Sequence, residues 1–318
     1  MTAWLPASVT QWLRPVSQWS AVALRQPQEA IEVKLTSVAG DFDVTRNNVV
    51  VALRPLTIGI GLVQQLCPAI ECASDLRLQF VDCGTRRTLG ILELERRGDW
   101  ATAGATVALF GVSVGAHRCL AWPYRPWNRW LQNRAARRNL DPGNFALSPE
   151  ATQQIMIFYI CPRPVVLVSV DDGRHSNIFP MDLIGPIAPD RFTLALRSTS
   201  VSVETMKSVR RVALSDVAAG DRRIAYRLGA HHKNAQIDWS GLPFKIARSP
   251  HFSLPVPESA LRIRELEILD VDVVGSHTLF LSRVESDHSI GDGAQLFHTS
   301  GIHQHFRTRH GRAFPPAS

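Results

Sequence analysis

No stretch of this 318-residue chain approaches the ~20 consecutive apolar residues that a bilayer-spanning helix needs, so no membrane span is expected. An export signal is missing too: Pro6, Gln11, Arg14 and Pro15 interrupt every short hydrophobic run at the N-terminus, which makes the cytoplasm the expected compartment. Cysteine is scarce. The five present (Cys67, Cys72, Cys83, Cys119 and Cys161) are odd in number and form no CxxC pair, which points to reduced thiols and away from structural zinc. A dinucleotide fingerprint is absent, since Gly59-Ile60-Gly61 runs into Leu62-Val63-Gln64 without a third glycine. There is no repeat at a short period and no low-complexity tract, so solenoids and disordered tails are poor descriptions. Ser-His-Asp and paired-carboxylate constellations do not stand out either.

What is present suits a globular protein of about two domains, with 45% apolar and 20% charged residues. The formal charge of +7 is concentrated between Arg118 and Arg138, where six arginines occur without an acidic residue. Trp122, Tyr124, Trp127 and Trp130 interleave with them. Such a mixture can stack on bases, pair with phosphates, anchor to a protein surface, or pack on its own domain. No nucleic-acid-binding fold signature accompanies it, so packing or an oligomer contact is the expectation and nucleic acid is not. Trp4, Trp12 and Trp19 mark the first 30 residues as a short helix or an arm lying on the body. Runs of β character follow at Ile31–Leu35, Val49–Leu53, Leu76–Val81, Leu89–Leu94 and Thr106–Phe110, punctuated by Asn47-Asn48, Cys83-Gly84 and Gly98-Asp99. Residues 1–147 are therefore expected to form a small, mainly β accessory domain. Asp141-Pro142-Gly143-Asn144 breaks the chain, and Ser148-Pro149-Glu150 supplies an N-cap, a proline at the first helical position and an acid facing the dipole. The second domain is placed at 148–318.

Its first helix carries Ile155, Phe158 and Tyr159 into Cys161-Pro162-Arg163-Pro164, where the prolines must end it. Val165–Val170 is a β-branched, nearly all-apolar strand, Asp171-Asp172-Gly173 is a hairpin turn, and Asn177–Leu183 resumes in extended form. The strand Phe192–Leu196 then runs into Arg197-Ser198-Thr199-Ser200 and a short helix over Val203–Val209. A helix N-terminus beside a cation and successive hydroxyls can hold a phosphate monoester. The same residues also fit a plain cap by Ser200 or Ser202 and a solvated strand-end arginine.

Three stretches, PRPVVLVSVDDGRHSNIFPMDLIG, FTLALRSTSVSVETMKSVRRVALS and SHTLFLSRVES with a closing DGAQLFHTSGIHQH, resemble the flavin reductase-like domain in order and spacing, from about Phe158 to His305. The resemblance implies a mainly β fold with some helix, an FMN-binding split β-barrel. It implies that Asn177, Ile178, Phe179, Pro180, Met181 and Asp182 border the isoalloxazine ring. Arg197, Ser198, Thr199 and Ser200, with Thr205, match the family's phosphate-binding stretch. The cofactor it implies is FMN, with FAD as the alternative, and NAD(P)H is the co-substrate, its hydride passing from C4 to flavin N5. A homodimer with flavin at the subunit interface and a partner oxygenase are inherited from the same resemblance. The cofactor carries the chemistry, so no protein acid or nucleophile is obligatory.

The segment Leu228–Asn234 departs from the family pattern with adjacent histidines. His231 and His232 could orient nicotinamide or protonate reduced flavin as catalytic groups, or be a pair with satisfied hydrogen bonds. His303, His305 and His310 give an HxH spacing on a segment read as extended, but no Cys or Asp completes a ligand set, so no metal is expected. The activity expected is that of an NAD(P)H-dependent flavin reductase. A non-enzymatic FMN carrier, sensor or interaction protein is the alternative.

Overall fold

The computed structural model describes residues 15–26, 30–62, 75–102, 105–138 and 147–318. In chain order the elements of the first half are β1 (Trp19–Leu24), β2 (Ile31–Ser37), β3 (Gly40–Asp43), β4 (Asn48–Leu53), β5 (Leu56–Gly61), β6 (Leu76–Asp82), β7 (Thr88–Thr102), β8 (Ala105–His117) and α1 (Tyr124–Arg138). The second half begins with α2 (Pro149–Phe158), β9 (Arg163–Pro164), β10 (Val166–Asp171), β11 (Ser176–Met181), β12 (Ile184–Ala188), β13 (Arg191–Arg197), α3 (Ser202–Val209) and β14 (Arg211–Asp216). It continues through α4 (Arg222–Arg227), β15 (Ile246–Arg248), β16 (Pro255–Pro257), β17 (Arg262–Val274), β18 (His277–Ser289), β19 (Gln295–Ser300) and α5 (Gly301–Arg309). The mainly β expectation holds for both halves. All five expected strands of the first half form, and the Gly59-Ile60-Gly61 stretch is the buried end of β5.

The two halves repeat one another. Each contains a seven-stranded antiparallel sheet, ordered β3-β2-β6-β7-β8-β5-β4 in the first and β11-β10-β14-β17-β18-β13-β12 in the second, which is the same sequence of strands in each copy. Register agrees as well as order. The irregularity between Val50 and Ala52 in β4 recurs between Pro186 and Ala188 in β12. Those at Glu93/Leu94 and Arg96/Gly98 in β7 recur at Glu265/Leu266 and Ile268/Asp270 in β17. Bulges are placed features of a sheet, so three in matching positions indicate one frame used twice. The repeat period spans a whole domain, so it leaves no short-period pattern in the sequence.

The copies pack through their matching edge strands, β4 against β12. Val49, Val51 and Val107 from the first sheet meet Ile187, Leu279 and Leu281 from the second in one buried cluster. The match is close: a Cβ placed on Gly61 would lie 1.9 Å from the carbonyl oxygen of Ile187. Polar contacts finish the seam. Trp100 Nε1 donates to Asp270 Oδ2 at 2.9 Å, and Ser276 and Arg54 exchange two bonds at 2.9 and 3.1 Å. The buried Arg163 guanidinium donates to the Asn48 carbonyl at 2.9 Å and to its side-chain oxygen, with Phe158 4.2 Å beneath it.

Helix α2 starts as its sequence predicts, with the Ser148 hydroxyl accepting from Ala151 N at 3.1 Å. Its apolar side chains enter the core of the first sheet, where Phe158 stands edge-on to Phe80. The N-terminal arm is a strand: β1 pairs with β19, and Trp19 packs edge-on against Tyr159 at 4.5 Å. Trp4, Trp12, the 141–144 break, Cys67 and Cys72 lie outside the described residues. Cys83, Cys119 and Cys161 are unbridged. The basic aromatic segment divides its faces. Tyr124 and Asn128 are buried, and Asn128 Oδ1 holds the arm by accepting from Val16 N at 2.8 Å, while Trp127 and Trp130 stack on each other at 4.9 Å on the outer side. The His303–His305 segment is helical, not extended, and no metal-competent cluster occurs among the described residues. A glycine-to-alanine change tests the seam. Gly61→Ala should cost about 1–3 kcal/mol by overpacking, whereas Gly229→Ala, with nothing near its Cβ position, should stay within about 0.5 kcal/mol; urea unfolding of both distinguishes them.

Candidate functional site

Asn177, Arg197, Ser200, His231 and His232 converge at the end of the second sheet where β11 begins and β13 ends, whereas Met181 and Asp182 lie at the opposite end of β11, beside the start of β10. The turn before β11 forms as expected, with Asp171 accepting from Gly173 N at 2.8 Å and Asp172 from Arg174 N at 2.8 Å. Ile178, Phe179 and Met181 direct their side chains into the core, so β11 presents mainly its backbone outward. The Leu228–Asn234 segment lies against that backbone. His231 Nδ1 is 2.9 Å from the Ile178 carbonyl and His232 Nε2 is 3.0 Å from the Pro180 carbonyl, with the His232 ring 4.8 Å from that of Phe179. Each imidazole therefore donates one N–H to a main-chain acceptor. Burial pushes the His232 pKa down, and the Arg197 charge adds to the effect, so the ring is neutral at pH 7.

Asn177 is buried and ties three segments together, its Nδ2 lying 2.8–3.1 Å from Asn234 O, His231 O and Ser202 Oγ. Its Oδ1 is buried without a partner among the described residues. The hydroxyl row is partly engaged in the fold. Ser200 donates to His232 O at 3.2 Å, and Ser198 accepts from Thr278 at 3.1 Å, while Thr199 is exposed and Thr205 is buried. Neither Ser200 nor Ser202 caps α3. The N-cap position is Val201 and carries no side-chain cap bond, because Ser202 is turned inward to Asn177. That removes the plain-cap explanation of the row.

Arg197, the last residue of β13, sets the electrostatics. Its positive field lowers the pKa of two neighbouring imidazoles, His232 and His277, and burial brings its own down as well. His277, held 2.9 Å from the Ser276 hydroxyl, titrates at about 4, chiefly because it is buried. A half-buried cation with hydroxyls beside it and neutral imidazoles around it has the chemistry to receive an anion.

A second group of side chains was not visible in the sequence. Asp182 receives His298 Nδ1 at 2.7 Å, and His298 Nε2 lies 2.9 Å from the Tyr226 hydroxyl, which is half-exposed. Burial would raise the Asp182 pKa, but hydrogen bonds from His298 and Tyr159 outweigh it and hold the carboxyl below its usual range. Only the pairing of β19 with β9 and β1 brings His298 to a residue 116 positions away.

Burial of neutral imidazoles has a measurable consequence. His277 binds its proton near 6.5 when unfolded and near 4 when folded, so its contribution is complete above pH 6.5 and is lost as pH falls toward 4. Lowering pH from 7 to 5 should cost the protein about 2 kcal/mol through this residue alone, and His277→Gln should remove that part of the slope in urea midpoints measured at the two pH values.

The model of the flavin reductase like domain matches residues 158–305. No curated protein matches the sequence. Among solved structures, an FMN-binding protein from Thermus thermophilus with bound p-hydroxybenzaldehyde is 20% identical over 49% of this chain and 88% of its own, with a TM-score of 0.40. An NADH:FAD oxidoreductase of Streptomyces globisporus is 18% identical over 51% of this chain and 95% of its own, with a TM-score of 0.43. BorF, the flavin reductase component of a bacterial two-component tryptophan halogenase, is 17% identical over 46% and 92%, with a TM-score of 0.42. The C-terminal part of the chain, from residue 158 to residue 305, is a flavin reductase-like domain.

Proposed function

We propose that this chain is an FMN-binding flavoprotein that oxidises NAD(P)H as a flavin reductase, with the flavin phosphate held at the end of β13. The positive field around Arg197 carries this reading, because it coincides with the residues that match the family's phosphate stretch. Arg197, Ser198 and Thr199 would hold the phosphate, and the orphaned Asn177 Oδ1 leaves an acceptor beside the same segment. Bound flavin would supply the hydride chemistry. His231 and His232 hold the loop against β11 through one main-chain hydrogen bond each. As positioning residues they would act through the backbone of Ile178 and Pro180.

The resemblance brings a homodimer with it. Here the first sheet offers the second a partner of its own topology, packed against it through side chains of β4 and β8 on one side and β12, β13 and β18 on the other, so the pairing would be met within one chain. No helix among the described residues is long and apolar enough to cross a membrane. A separate oxygenase or other acceptor would take the electrons.

Titration with FMN, followed by flavin fluorescence, should give saturable binding that Arg197→Ala weakens about ten-fold or more, the loss expected for one charge-assisted contact. Wild-type affinity in that variant would place the phosphate elsewhere. NADH and NADPH oxidation with added FMN tests turnover, and flavin binding without oxidation would make the chain a carrier. Replacing both His231 and His232 by Asn should shift the FMN affinity and the pH profile together. Light scattering should give a mass near 35.3 kDa, that of one chain.

A further inference from the structure

The duplicated frame allows one end of the second sheet to be compared with the same end of the first. Matching registers make Phe80, Gly90 and Leu92 the counterparts of Asp216, Arg262 and Arg264. In the first sheet these positions are apolar or bare and are closed by α2 and the turn that follows it. A Cβ on Gly90 would meet Ile160 at 2.7 Å and Ile157 at 2.8 Å, and Phe158 covers Phe80. In the second sheet the counterparts are charged, and in place of a plug there is a cavity of about 550 Å³ bounded on its far side by Arg46 and Asn48 of the first sheet. Charged residues where the sister copy has a dry core are costly unless they face solvent or a ligand.

The cavity wall carries an excess of positive charge. Arg262 and Arg264 share a single carboxylate, Asp287. Arg163 is buried and bonds only to the neutral Asn48, with its Nε lacking any partner among the described residues. Arg46 is exposed and makes no ion pair among the described residues. Against these stands Asp216, whose pKa is raised by burial, which weakens it as a counter-charge. The floor is apolar, with Phe192 lying 4.7 Å under the Arg264 guanidinium. Guanidinium forks converging on a pocket of small-molecule size favour an oxyanion with several acceptors.

We infer that the cleft between the two sheets is a second ligand site, one that takes a phosphate-bearing small molecule between Arg46 of the first sheet and Arg264 of the second. It lies at the β10 start of the second sheet, away from Arg197 at the far end of β13, although Val166 in its wall pairs with Met181 of the stretch implied to border the flavin ring, so the test below includes FMN affinity.

Calorimetric titration of the full chain with inorganic pyrophosphate tests this. Wild type should bind saturably, and Arg46→Ala should weaken binding about ten-fold, as expected for one lost charge-assisted contact. Arg264→Leu, which installs the residue found at the sister position, should do the same, and Arg283→Ala, an exposed arginine outside the cleft, should bind as wild type. FMN affinity should be unchanged in Arg46→Ala. No pyrophosphate binding by wild type, or equal binding by Arg46→Ala, would overturn the inference. So would a parallel loss of FMN affinity in Arg46→Ala, because the cleft would then belong to the flavin site.

Discussion

The packing of β4 against β12 is the constraint on which the rest of the molecule depends. Each sheet ends in a strand whose outer face is apolar, and neither edge could stay open without inviting association. Setting one against the other buries both, and the backbones approach so closely that Gly61 admits no side chain beside the Ile187 carbonyl. Arg163 then has to be accommodated at this seam, and Asn48 and the Phe158 ring receive it. Removing the Asn48 side chain would leave a buried cation short of acceptors, a costlier defect than the loss of one surface contact.

Given that seam, the two copies diverge in what they do with the same frame. The first sheet uses its interior for stability: α2 fills one end, and its Phe, Ile and Leu side chains form a continuous core. The second sheet keeps polar groups at both ends. At one, the Leu228–Asn234 segment is fastened to β11 by two imidazoles beside Arg197; at the other, arginines surround the cleft facing the first copy.

Much of the second half was legible as sequence. The β-branched run into Asp171-Asp172-Gly173, the prolines after Tyr159 and the Ser148 cap act through local sterics and local hydrogen bonds, and all three behave as those rules require. Arg197 and its hydroxyls are contiguous in the chain, so their grouping is a local feature of the sequence. The cap assignment failed at Ser202 because a buried amide 25 residues away competes for its hydroxyl. His298 gave no local signal as the partner of Asp182, since its neighbours in the chain describe only a strand.

The duplication lay beyond the reach of any local pattern. Strand order and bulge positions are shared by both copies, but Asp216 stands where the first has Phe80 and Arg264 where it has Leu92, so similarity persists in register and not in residue type. The sequence by itself determined the strands, their turns, the flavin reductase-like character of the C-terminal part and the run of a cation and hydroxyls at the end of β13, all properties of short contiguous segments. Only the tertiary structure decided that the N-terminal half is a second copy of the same sheet, that α2 plugs one copy and not the other, and that the cationic cleft exists. Those outcomes depend on long-range packing and burial, which couple residues more than 100 positions apart.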